Sequence, residues 1–164
     1  MIDIQTDRLR FRQWALTDFE AFAHYFASAA NTRFLGGTKL PEEAWRLMAS
    51  YVGHYHLLGY SYAPIIERSS GQLVGSVGLW NSAAWPEPEL GYWFLPEGQG
   101  KGYAFEAAQA LKQYAKEQVE LPTLVSYISA ANVPSQKLAI KLGAMLDGTT
   151  DLLTFGEHQV YRYW

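Results

Sequence analysis

This sequence predicts a mixed α+β domain: one sheet with both parallel and antiparallel strands, flanked by helices. Three observations carry that reading. A strand–helix–strand unit fills the middle, running from 89–95 through 102–118 to 123–129, and such a crossover makes its two strands parallel. Elsewhere, apolar strand segments meet through short turns at Arg68-Ser69-Ser70-Gly71 and at Gly156, the pattern of antiparallel pairs. The helical segments carry their apolar residues on one face, so each needs a partner surface.

Taken in order, Leu9-Arg10-Phe11-Arg12-Gln13-Trp14 alternates apolar with polar and reads as a half-buried first strand. Thr17-Asp18 is an N-cap candidate for a helix with Phe19, Phe22, Ala23 and Phe26 on one face. Residues 31–40 read as a loop. Pro41-Glu42-Glu43 opens a second helix with acids in its first turn, where they complement the dipole, and that helix ends near Gly59. Strands are predicted over 60–67 and 73–80. Residues 89–95 form a nearly continuous apolar run, as in a strand buried on both faces. The next helix starts around Gly100 to Gly102 and turns Ala104, Ala107, Ala108, Leu111 and Ala115 inward. After the strand at 123–129, Pro134 lies near the start of a short helix that stops at Gly143. Two last strands fall near 145–155 and 158–164.

With 164 residues, 49% of them apolar and 18% charged, the chain is expected to form a single domain over 1–164. Sixteen acidic against thirteen basic side chains give a net charge of −3. Gripping a nucleic-acid backbone needs a basic face, so no nucleic-acid partner is expected. The absence of cysteine excludes disulfides, thiolate metal sites and a cysteine nucleophile. The N-terminus has acid where a signal peptide has base, and the uncharged stretch 47–66 is broken by His54, His56, Gly53, Gly59 and Pro64. A cytoplasmic protein with no membrane contact is expected. His54 and His56, two apart on a helix, would point to different sides and make a poor chelate, so no metal site is expected.

The sharpest motif is Gln99-Gly100-Lys101-Gly102-Tyr103-Ala104, between a buried strand and a helix N-terminus. Glycines let the backbone approach a ligand, and the first-turn N–H groups point outward unpaired. Together they suit a pyrophosphate, although a glycine-rich turn with ordinary packing has the same composition. A P-loop fails because Lys101 is followed by Gly102, and a dinucleotide fingerprint fails because Tyr103 stands where a third glycine belongs.

Four segments extend this motif along the chain: Thr6-Asp7-Arg8-Leu9-Arg10-Phe11-Arg12, Gly71 through Leu79, Glu89-Leu90-Gly91-Tyr92-Trp93-Phe94-Leu95-Pro96-Glu97, and Asn132-Val133-Pro134-Ser135 with Lys141-Leu142-Gly143-Ala144. In these segments and the glycine motif the sequence resembles the GNAT N-acetyltransferases, specifically the RimJ/RimL-like branch that acetylates amines with acetyl-CoA. Gln99, Gly102 and Ala104 meet the family's [QR]-x-x-G-x-[GA] pattern. Each segment alone is weakly specific; the series in this order is strong evidence.

The resemblance implies a GNAT fold whose two parallel strands splay apart to admit pantetheine. Backbone amides from Gln99 through Gly100, Lys101, Gly102 and Tyr103 to Ala104 would hold the CoA pyrophosphate, with Lys101 adding charge. Phe94 or Leu95 would present an amide to the thioester carbonyl, since Pro96 has no N–H. Asn132 would reach pantetheine, and Ser135 would serve the departing thiolate, although a serine there is also common at a helix start. Glu89, on the strand carrying the acetyl group, is the first general-base candidate and Glu67 the second; an exposed strand-end charge is the plainer reading of Glu89. The loop at 31–40 and the turn 155–158 are where the fold builds its acceptor site. The expected activity is direct transfer of acetyl from acetyl-CoA to a primary amine, on a protein N-terminus or a small molecule. A non-catalytic acyl-CoA-binding module and a longer acyl donor are the alternatives. Relatives are often homodimers, so self-association is a further expectation.

Overall fold

The computed structural model describes residues 4–152 and 155–164. Within them, seven strands form one sheet in the order β1-β2-β3-β4-β5-β7-β6. These are β1 (Leu9–Phe11), β2 (Tyr62–Glu67), β3 (Leu73–Trp80), β4 (Glu89–Phe94), β5 (Val125–Ile128), β6 (Met145–Asp151) and β7 (Glu157–Arg162). Only β4 and β5 run parallel; the other neighbours are antiparallel. The helices are α1 (Phe19–Ala27), α2 (Ala29–Thr32), α3 (Pro41–Leu58), α4 (Tyr103–Glu117) and α5 (Val133–Lys141). The expected mixed sheet with a central crossover is the one observed, with α4 as the crossover.

The sheet separates two apolar clusters. Leu90 and Phe94 of β4 join Ala107, Ala108 and Leu111 of α4 on one face. Trp93, alternating to the other face, joins Phe22, Phe26, Met48 and Tyr51 of α1 and α3. Strand β4 is therefore buried on both sides, as its apolar run implied.

Local differences have identifiable causes. The first strand stops at Phe11 rather than Trp14, because Arg12 turns to grip both carboxylate oxygens of Asp18 at 2.7 Å. That ion pair, with Ala15 N–H also donating to Asp18 at 2.9 Å, leaves α1 without the side-chain cap expected from Thr17-Asp18. The 31–40 loop begins inside α2, whose N-cap Ser28 accepts from Asn31 N–H. At α3 the acidic first turn does more than face the dipole: the Glu43 carboxylate accepts Leu40 N–H at 2.7 Å. The strand predicted over 145–155 ends at Asp151, and its positions 153–154 lie outside the described residues. No helix of the described residues is long and apolar enough to cross a membrane.

Candidate active site

Strands β4 and β5 touch only at their beginnings. Glu89 and Val125 are their one registered pair; Val125 N–H donates to Pro88 O at 3.1 Å, and the Ser126 hydroxyl donates to Leu90 O at 2.6 Å. Past Leu90 the strands part. Amides alternate sides along a strand, and Leu95 N–H is taken by Val74 O of β3 at 3.0 Å. The N–H of Phe94 therefore faces away from β3, into the opening, while the Phe94 carbonyl accepts from Gln99 Nε2 at 2.9 Å.

That Gln99 contact ties the glycine loop to the splayed strand. A short 3-10 turn at Pro96–Gly98 leads into the loop, where Gly100 and Gly102 take φ of 72° and 80°. Left-handed backbone of this kind strains any residue with a Cβ. Gly102 is the N-cap of α4, and the first intrahelical bond runs from Glu106 N–H to Gly102 O at 3.2 Å. The N–H groups of Tyr103, Ala104 and Phe105 precede that bond and have no helical acceptor. They form a ready anion site.

Cations surround this site. Lys101 Nζ lies 3.6 Å from Glu67. Arg8 donates to Lys101 O at 2.9 Å, pairs with Glu106 at 2.6 Å, and lies over the Tyr103 ring. It offsets the Glu106 charge, which would otherwise oppose an anion at this helix start. Glu67 accepts from the Tyr103 and Ser70 hydroxyls, and these bonds with Lys101 hold its carboxyl below the usual range. The second base candidate thus belongs to the loop's support, and its pKa moves away from what a base at neutral pH needs.

The opening between β4 and β5 continues into a cavity of about 350 Å³, within the size range of ligand sites. Glu89 lies on its wall. Burial pushes this carboxyl up to about 7, against the opposing effects of hydrogen bonds from Trp85 Nε1 (2.6 Å) and the Tyr127 backbone. A base poised there is half-ionised near neutral pH. Asn132 and Ser135 line the same cavity. Asn132 caps α5, its Oδ1 accepting Ser135 N–H at 3.4 Å. Tyr92 reaches across the gap, its hydroxyl donating to Ser135 O at 3.3 Å, and burial raises it to about 12. The two loops expected to frame an acceptor meet over this space, represented by Phe34, Lys39, Phe155 and His158.

A glycine loop at a helix start beside a split parallel pair is the arrangement that the sequence resemblance implied. The family model described as acetyltransferase (GNAT) domain matches residues 8–145. The chain belongs to the GNAT acetyltransferase family. An acetyltransferase from Agrobacterium tumefaciens is similar over its structure, with a TM-score of 0.91 and 33% identity, covering 100% of this chain and 95% of that one. The Bacillus subtilis N-acetyltransferase YnaD is 26% identical over 145 residues, 88% of this chain and 84% of its own. A putative ribosomal-protein-serine acetyltransferase from Vibrio cholerae shares the fold at a TM-score of 0.82 and 24% identity, over 98% of this chain and 96% of that one.

For a GNAT enzyme, whose family uses acetyl-CoA, the sequence-identified residues fall into two groups. Gln99, Gly100, Lys101, Gly102, Tyr103 and Ala104 gather at the helix start, and Glu89, Asn132 and Ser135 gather on the cavity. Neither the Arg8 contacts at the anion site nor the Trp85 bond to Glu89 has a signal in the sequence. Arg8 lies 93 residues from its partner Lys101, a separation that no local motif spans. The Trp85 bond to Glu89 crosses only four residues, but it depends on a loop conformation that periodicity does not encode.

Proposed function

We propose that this GNAT enzyme transfers the acetyl group of acetyl-CoA directly to a primary amine, with Glu89 as general base. The observation that carries the reading is a carboxylate with pKa about 7 on the wall of the cavity that opens between the splayed strands. The unpaired amides of Tyr103 and Ala104, with Lys101 and Arg8 nearby, fit the pyrophosphate of the donor. Phe94 N–H, facing the opening, serves the thioester carbonyl as oxyanion donor, and Leu95 serves as its neighbour bonded to β3. Asn132 borders the pantetheine path. The RimJ/RimL-like assignment rests on the motif series and leaves the acceptor open.

The chemistry balances with these groups. An ammonium (pKa about 10 for a free alkyl amine) gives a proton to Glu89, directly or through a water. The nitrogen lone pair attacks the thioester carbonyl, the C–N bond forms and the C–S bond breaks. As the tetrahedral intermediate collapses, the nitrogen's second proton passes to the departing sulfur through the Ser135 hydroxyl that hydrogen-bonds it, so the products are an amide and CoA thiol, and Glu89 releases the first proton to solvent.

Free thiol should appear from acetyl-CoA only when an amine is added, and Ser135→Ala should slow that release on the order of tenfold, about 1.4 kcal/mol, with acetyl-CoA affinity nearly intact. A thiol-trapping assay over a panel of amines and acyl-CoA donors reads both. Amine-independent binding without turnover would reassign the protein as an acyl-CoA-binding module, and full activity with poor stability would make Ser135 structural.

A further inference from the structure

The cavity walls describe the acceptor, given the transferase reading above. Tyr51 on α3 stacks on Tyr62 of β2 at 4.7 Å and meets Trp80 of β3 edge-on at 5.7 Å. Regular secondary structure fixes these rings before any ligand arrives. Across the space, Phe155 meets the Trp85 ring at 5.7 Å, and Trp85 in turn holds Glu89. The turn that carries Phe155 also touches the 31–40 loop. Phe155 packs so closely on Gly36 that a Cβ there would lie 2.8 Å from its ring.

The charges are as selective as the rings. Among the described lining residues Glu89 is the single carboxylate, while Lys39 contributes an ammonium. One carboxylate can receive one ammonium. A polyamine would bring further cations toward Lys39, with no second carboxylate among the described lining residues to receive them. A peptide N-terminus would bring backbone amides among these rings, each needing a partner that a compact amine does not. The acetyl donor shares this space of about 350 Å³, since Asn132 and Ser135 line it as well.

We infer that the acceptor is a compact monoamine with an aromatic or bulky apolar body, of the arylalkylamine class. Its ring lies among Tyr51, Trp80 and Phe155, and its ammonium faces Glu89. Phe155 sets the preference for the ring, and Lys39 excludes polycations.

The test compares kcat/KM for 2-phenylethylamine, ethylamine, spermidine and a short peptide amide with a free N-terminal serine, using acetyl-CoA and wild-type protein. 2-Phenylethylamine is expected to exceed each of the others at least tenfold. Phe155→Ala should cut the 2-phenylethylamine to ethylamine ratio several-fold. Lys39→Glu should raise the spermidine to 2-phenylethylamine ratio about tenfold. Spermidine or the peptide matching 2-phenylethylamine in the wild type overturns the inference, as do variants that leave both ratios unmoved. If no amine releases thiol, the transferase reading fails, and calorimetric titration of 2-phenylethylamine into the protein with and without CoA decides the pocket separately. Saturable binding weakened by Phe155→Ala keeps the arylalkylamine site, and no binding overturns it.

Discussion

Glu89→Gln is expected to lower turnover roughly 10²–10⁴-fold, the usual contribution of a positioned acid–base group. The amide keeps the shape and the acceptor for Trp85 Nε1 but cannot take a proton. Acetyl-CoA affinity should survive, because the helix start that fits the donor is built by other residues. The pH profile gives the sharper test. With the carboxyl raised to about 7, wild-type kcat/KM for the amine should fall as pH drops through that value, since the proton acceptor is being filled. In Glu89→Gln that inflection should vanish, leaving only the rise with free amine toward high pH and partial recovery there. A variant that keeps the inflection near 7 would move the base to another group. Full activity at neutral pH would leave the anion site intact and remove Glu89 from the chemistry.

The second large effect concerns Gly102. A ligand held only by the native state at a hundredfold excess over its Kd adds about 2.7 kcal/mol. For a chain of this size that corresponds to a rise in Tm of about 5–10 °C. Acetyl-CoA should produce such a rise in the wild type. Gly102→Val should remove it, because a β-branched residue at φ of 80° is strained and relieving that strain turns the first amides of α4 away. Thermal melts with and without acetyl-CoA read the difference. An unchanged rise would place the donor elsewhere. Trp93 borders the cavity, so quenching of its fluorescence offers an independent titration.

Much of this architecture was legible because it is encoded locally. The β4–α4–β5 crossover follows from an apolar run, a glycine loop and a helical stripe, each complete within its own segment. The anion site was legible for the same reason. What the sequence hid is long-range. Asp18 resembles a helix cap until Arg12 claims both its oxygens. Glu67 resembles a base until Tyr103, 36 residues away, turns it into loop support. Choosing between the amides of Phe94 and Leu95 required knowing which side β3 occupies, a question of sheet order that alternation within one strand cannot answer. The raised pKa of Glu89 likewise depends on burial supplied by other elements.

That raised carboxyl also bears on how firmly the chain folds. In the unfolded state Glu89 titrates near 4.5; in the folded state it holds its proton up to about pH 7. Between these values the native state carries the extra proton, so its advantage over the unfolded chain shrinks as pH rises. Above pH 7 the loss is complete, about 3 kcal/mol for a displacement of this size, a substantial part of the usual margin of a small domain. The ligand-free wild type should accordingly melt below Glu89→Gln at pH 8, and the gap should close toward pH 4, as scanning calorimetry at the two pH values would measure. With Glu89 as the proposed base, reactivity and robustness would be opposed at one side chain, and a slowed variant that outlasts the enzyme under alkaline heat would be the direct expression of that opposition.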